Sequence, residues 1–154
     1  MAIAPNTTFV SGAILTAAQQ NAFGFGIVAL GTKTATDATI TVEEIQVTSS
    51  SFTAIANRYY KITYTETELT SSAAGYMQLG IRKTNLAGTS IGNSYVGMFG
   101  NATQIQSGTL TIITTLTAGA QVVVGTLLCS AGTGKASAAA TQPSYIIVED
   151  IGPA

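Results

Sequence analysis

Seven carboxylates and no histidine bound the chemistry open to this chain of 154 residues. Without imidazole, neither Ser-His nor Cys-His nucleophile pairs nor imidazole zinc sites can be assembled within it. The carboxylates cluster only at Glu43-Glu44, Glu66/Glu68 and Glu149-Asp150. Glu66 and Glu68 stand two apart, so on a continuing strand they share a face about 7 Å apart, a spacing that suits two-carboxylate glycoside hydrolysis. The plainer reading, preferred here, is the solvated end of a strand, since nothing else in the sequence marks a cleft. Gly24-Phe25-Gly26 and Gly132-Thr133-Gly134-Lys135 are like phosphate loops only on the surface: the second lacks the earlier glycine and has no Ser or Thr after its lysine. Asn6-Thr7-Thr8 and Asn101-Ala102-Thr103 fit the glycosylation pattern, but without a secretory signal they read as polar loops. Five tyrosines, Tyr59, Tyr60, Tyr64, Tyr76 and Tyr95, offer a sugar-stacking platform, against the simpler reading of half-buried tyrosine in a sheet. Cys129 is the single cysteine, which excludes an intrachain disulfide and leaves a small buried hydrophobe. No cofactor or metal set emerges.

The elements that must position these residues are strands. Residues 57–67 alternate with a period of two, placing Tyr60, Ile62 and Tyr64 on one face and Tyr59, Lys61, Thr63 and Thr65 on the other. Further β patterns cover 26–30, 39–47, 52–55, 75–83, 91–99, 108–116, 121–129 and 145–150, with 130–142 a small-residue loop. Ahead of them, 1–12 reads as an irregular arm, and a helix of two turns is expected from Thr16, its cap, to Gly24, its stop. The expected domain division is an N-terminal arm with short helix over 1–25 and a β-head over 26–154. About eight short strands with one brief helix predict an all-β antiparallel sandwich or barrel, in which Tyr60, Ile62, Leu79, Leu110, Ile112, Val122, Val124 and Ile147 form the core.

Composition excludes several classes. A net charge of −1 with no basic patch argues against nucleic-acid partners. No run reaches the roughly 18 apolar residues of a spanning helix, so membrane insertion is not expected. Charged residues are only 8%, against roughly 25% in an ordinary soluble domain. Residues 1–32 and 84–134 carry no Asp, Glu, Lys or Arg at all. That uncharged surface suggests cover by other chains, and Ile113, Val123 and Leu127, opposite the inward set, are the candidate oligomer interface.

Two end segments bear a family likeness. Phe9-Val10-Ser11-Gly12-Ala13-Ile14-Leu15-Thr16-Ala17-Ala18-Gln19-Gln20-Asn21-Ala22 resembles the opening of minor tail and fibre proteins of tailed phages. Pro143-Ser144-Tyr145-Ile146-Ile147-Val148-Glu149-Asp150-Ile151-Gly152-Pro153 resembles the closing strand of small virion proteins from phages of actinobacteria. Between them, 57–69 followed by 75–83 is similar to a strand pair in jelly-roll heads of the tumour necrosis factor and complement type. The resemblance implies a non-enzymatic virion component, a minor tail protein made in the host cytoplasm, forming a homotrimer and meeting other phage virion proteins. Phe9, Val10, Leu15, Phe23 and Phe25 would anchor it to the particle. A capsid head decoration protein is the alternative within that class. A carbohydrate-binding module for a host cell-surface glycan, using exposed Tyr and Asn, is the rival from another class.

Overall fold

In a computed structural model, which describes residues 14, 24–101 and 103–154, the strand expected at 57–67 is the longest element and runs on to Ser71. In chain order the strands are β1 (Gly26–Lys33), β2 (Asp37–Ile40), β3 (Glu44–Thr48), β4 (Phe52–Ala54), β5 (Arg58–Ser71) and β6 (Ala74–Lys83). There follow β7 (Ser90–Phe99), β8 (Gln106–Thr115), β9 (Gly119–Gln121), β10 (Val123–Cys129), β11 (Gly134–Ser137) and β12 (Ser144–Pro153). Every pairing between them is antiparallel.

β5 is central because its two edges are both taken. β12 and then β11 lie along one edge, β8 along the other, and β1 and β2 close the far side. A second sheet in the order β3-β10-β6-β7 packs against this one, and β4 with β9 forms a short ribbon. Tyr60, Ile62 and Tyr64 from β5 meet Met77, Leu79 and Ile81 from β6 and Val123 and Leu127 from β10, with Ile146 and Val148 from β12. β-Branched and aromatic side chains at alternate positions fill the space between the sheets. Gly125 shows how tight that space is: a Cβ there would lie 2.6 Å from the Tyr64 ring. Asn57 turns the chain into β5 at φ 58°, in the left-handed region that Asn tolerates.

Several expectations change. Among the described residues twelve strands replace about eight, four of them of only three or four residues. The expected strand 39–47 divides into β2 and β3, and the expected loop 130–142 contains β11, which extends the first sheet along the end of β5. The helix from Thr16 to Gly24 falls almost wholly outside the described residues. On β10 the assignment of faces is reversed: Val123 and Leu127 lie in the core, whereas Val124 is buried on the opposite side and Val122 precedes the strand half-buried. On β12 Ile146 and Val148 point inward and Ile147 outward. Ile112 is only partly buried against the core.

Candidate functional site

The two glutamates that most suggested catalysis are not a pair. Glu66 continues the inward face of β5, while a register shift against β8 between Glu66 and Leu69 returns the inward position to Leu69 and leaves Glu68 half-buried. Glu66 is fully buried, accepting from Tyr64 Oη at 2.5 Å and from the Ser144 hydroxyl. Burial is the main cause that raises its carboxyl above the usual glutamate range, opposed by those two hydrogen bonds. Burial likewise pushes the Tyr64 hydroxyl well up, with Glu66 adding to it. This is a structural network inside the sandwich, closed to a substrate. Among the described residues no group of three or more His, Cys, Asp or Glu is placed to hold a metal, and Cys129 is buried.

The tyrosines separate by face. Tyr60 and Tyr64 are core, and Tyr59 is half-buried on the outside of β5. Tyr76 and Tyr95 come together on the outer face of the second sheet. On β6, Met77, Leu79 and Ile81 point inward, so Tyr76, Gln78, Gly80 and Arg82 point outward. On β7 the pairs Ala74↔Phe99, Tyr76↔Gly97, Gln78↔Tyr95 and Gly80↔Asn93 fix which residues stand beside them. Each large side chain thus faces a small or polar one, and the aromatic rings alternate diagonally across the two strands. The Tyr76 and Tyr95 rings meet edge to face, centroids 5.1 Å apart at 89°. They remain 42% and 60% exposed, and Phe99 at the end of the row is 66% exposed. An added Cβ at Gly97 would touch nothing within 4 Å, so the floor beside Tyr76 is open. Tyr76 is held by its backbone, its N–H donating to Ser130 Oγ at 2.8 Å and its carbonyl accepting from Ser130 N–H at 3.0 Å.

The other end of this face is polar and fixed. Arg82 donates from Nε to Glu43 Oε1 and from Nη2 to Glu43 Oε2, both at 2.7 Å. Its Nη1 donates to the Gly88 carbonyl at 3.3 Å, and Thr126 Oγ1 donates to Glu43 Oε1 at 2.8 Å. Gly80 makes the arrangement possible, since a Cβ there would lie 2.5 Å from Thr126 Oγ1. The Arg82 fork holds the Glu43 carboxyl below its ordinary value, outweighing partial burial, and Glu43 in turn raises Arg82. The β3–β10 half of the sheet is closed beside this pair, with Val124 and Thr126 buried, whereas the β6–β7 half is open.

The remaining sequence candidates lie elsewhere. Phe9, Val10, Leu15 and Phe23 are outside the described residues. Phe25 is exposed and stacks on the Arg58 guanidinium at 4.3 Å, at the rim of a hollow of about 290 Å³ shared with Ile55, Asn57 and Pro153. Ile113 is exposed on the outer face of the first sheet, paired with Lys61. Val123 and Leu127 fill their own subunit's core, so their supposed need for cover by a partner disappears. Sequence reasoning named Tyr76 and Tyr95 but missed Phe99, Gln78, Asn93 and the Glu43–Arg82 fork beside them. The outward face of β6 was legible from Met77, Leu79 and Ile81; the register against β7 carried no sequence signal.

No family model matches the chain, and no curated protein matches it. Among solved structures, two that are similar are both carbohydrate-binding modules. One is CsCBM6-3 from Clostridium stercorarium in complex with cellobiose, at 16% identity and a TM-score of 0.38, covering 77% of this chain and 80% of that one. The other is a carbohydrate-binding module, CBM6cm-2, from Cellvibrio mixtus lichenase 5A in complex with cellotriose, at 13% identity and a TM-score of 0.40, covering 80% and 97%. The expectation of a phage minor tail, fibre-head or capsid decoration protein is corrected by these results: the two similar structures described are carbohydrate-binding modules. The homotrimer and the virion partners are withdrawn with it. Physically, the end-segment likenesses were short, and of the three residues expected at the trimer interface only Ile113 is exposed, Val123 and Leu127 being core.

Proposed function

We propose that this chain is a non-catalytic carbohydrate-binding module whose binding unit is the sandwich of residues 26–154 and whose ligand lies across the open face of β6 and β7. The observation that carries the reading is the exposed edge-to-face pair Tyr76–Tyr95, flanked on the same face by Gln78 and Asn93. A sugar ring has an apolar C–H face and a rim of hydroxyls. An exposed tyrosine supplies area for the first at low conformational cost, and amide side chains, which both donate and accept, suit the second. The alternation of Tyr76 with Gly97 and of Tyr95 with Gln78 leaves room for a ring against each aromatic side chain. The strand order supports a jelly-roll version of the sandwich: β1-β12-β5-β8 facing β3-β10-β6-β7, with β2, β4, β9 and β11 as additions.

Glycan-array screening of the purified protein, followed by calorimetric titration of the best binder, tests the proposal. Tyr95→Ala is expected to weaken binding about tenfold or more, a change of about 1.4 kcal/mol, while the thermal unfolding midpoint stays close to that of the unaltered protein. Binding that is unchanged in Tyr95→Ala would place the ligand elsewhere and overturn this reading.

A further inference from the structure

Resting on the carbohydrate-binding reading, we infer that the Glu43–Arg82 fork sets the charge preference of the β6–β7 face, so that it takes neutral glycans and rejects uronic-acid chains. Arg82 and Gly80 stand on the same outer face as Tyr76 and Gln78, and the Arg82 row lies about 14 Å along the strand from the Gln78–Tyr95 row. A chain of a few sugar units stacked on Tyr95 and passing Asn93 therefore reaches Arg82.

An arginine at such a place would ordinarily recruit carboxylates, because its planar fork matches them with two parallel hydrogen bonds. Here that fork is already filled. Nε and Nη2 are spent on the two oxygens of Glu43, Nη1 points to the Gly88 carbonyl, and Glu43 is held a second time by Thr126. Both side chains are about a quarter exposed, so the pair is at the surface of the face and within reach of a ligand. A uronate arriving there finds an arginine with its acid in place and the Glu43 carboxylate beside it. It would lose water without gaining a counter-charge. A neutral sugar has no such cost. The two ions of the pair are separated by 39 residues in sequence and joined only by the fold, with the absence of a side chain at Gly80 giving Glu43 its path to Thr126.

The test compares a neutral gluco-oligosaccharide with the corresponding oligoglucuronate by titration calorimetry on the full chain at low and high salt. Unaltered protein is expected to bind the neutral chain at least about tenfold more tightly, with little response to salt. Glu43→Gln releases the Arg82 fork and is expected to raise oligoglucuronate affinity about tenfold, with a gain that fades as salt screens it. The double variant Glu43→Gln/Arg82→Gln removes the released charge and is expected to return the preference to neutral chains, which separates a charge effect from local collapse. Unaltered protein that binds both ligands equally, or a Glu43→Gln preference that does not move, overturns this inference while leaving the sugar-binding face standing. Absence of binding to any glycan overturns the reading on which it rests.

Discussion

Replacing Glu66 separates the cost of a buried charge from that of broken hydrogen bonds. Its carboxylate is fully buried and is the acceptor for two hydroxyls, Tyr64 Oη at 2.5 Å and Ser144 Oγ. Glu66→Leu removes both acceptors while Tyr64 and Ser144 remain fully buried. A stranded buried donor costs about 1–3 kcal/mol, so two predict a loss of about 2–6 kcal/mol. Glu66→Gln keeps the shape, the acceptor for Tyr64 and a hydrogen bond with Ser144, whose hydroxyl can turn to accept. It is expected to stay within about 1 kcal/mol at low pH. The pH dependence follows from burial. A carboxyl whose folded value lies above the ordinary 4.5 holds its proton more tightly when folded. That stabilisation is complete below 4.5 and is lost as pH rises through the folded value. Glu66→Gln cannot lose a proton, so its stability relative to the unaltered protein should increase from pH 4 to pH 7. Urea unfolding of the three proteins at both pH values measures this. A Glu66→Leu variant as stable as Glu66→Gln would refute the hydrogen-bond argument, and a Glu66→Gln difference independent of pH would refute the desolvation argument.

Two further stability predictions bear on the sandwich itself. Gly125→Ala places a methyl 2.6 Å from the Tyr64 ring and is expected to cost about 1–3 kcal/mol as the ring is displaced; an unchanged urea midpoint would mean that Tyr64 shifts freely. Asp150→Ala removes the carboxylate that takes Arg58 Nε and Nη2 at 2.6 and 2.7 Å in a nearly inaccessible pair. The expected cost is about 3–5 kcal/mol, and a loss below about 1 kcal/mol would show that Arg58 relaxes to water.

The parts of the fold that were legible in the sequence are those where one face is apolar and the other is not. β5 states its faces because Tyr60, Ile62 and Tyr64 alternate with Lys61, Thr63 and Thr65. β10 does not, since Val122, Val123 and Val124 offer an apolar residue to either side, and only packing reveals that Val123 and Leu127 belong to the core, Leu127 beside Leu79 of the neighbouring β6. The run Ile146-Ile147-Val148 fails in the same way. Glu66 and Glu68 mislead for another reason: the period of two holds only while the register is unbroken, and it shifts between Glu66 and Leu69.

The proposed binding face depends on contacts still further from the sequence. Tyr76 was assignable to an outer face, but its contact with Tyr95 depends on how β6 and β7 align, and the Glu43–Arg82 pair joins β6 to the residue before β3 with β10 between them. The long uncharged stretch was read as a surface wanting a partner. In the folded chain much of β10 is interior, and the exposed positions on β7 and β8 carry mostly Asn, Ser, Tyr and Thr, with Phe99 and Ile113 the large apolar exceptions. Threonines of β5 and β8 bond across the strands at 3.2 and 3.1 Å, for Thr63–Thr111 and Thr65–Thr109. Hydroxyl and amide groups thus hydrate this surface without charge, and the same absence of charge suits a face proposed to receive an uncharged sugar. An Asn93→Asp change would put a carboxylate into that neutral row and, on this reasoning, should weaken sugar binding while leaving the core untouched; glycan affinity unaffected by it would show that the neutrality of the row is incidental.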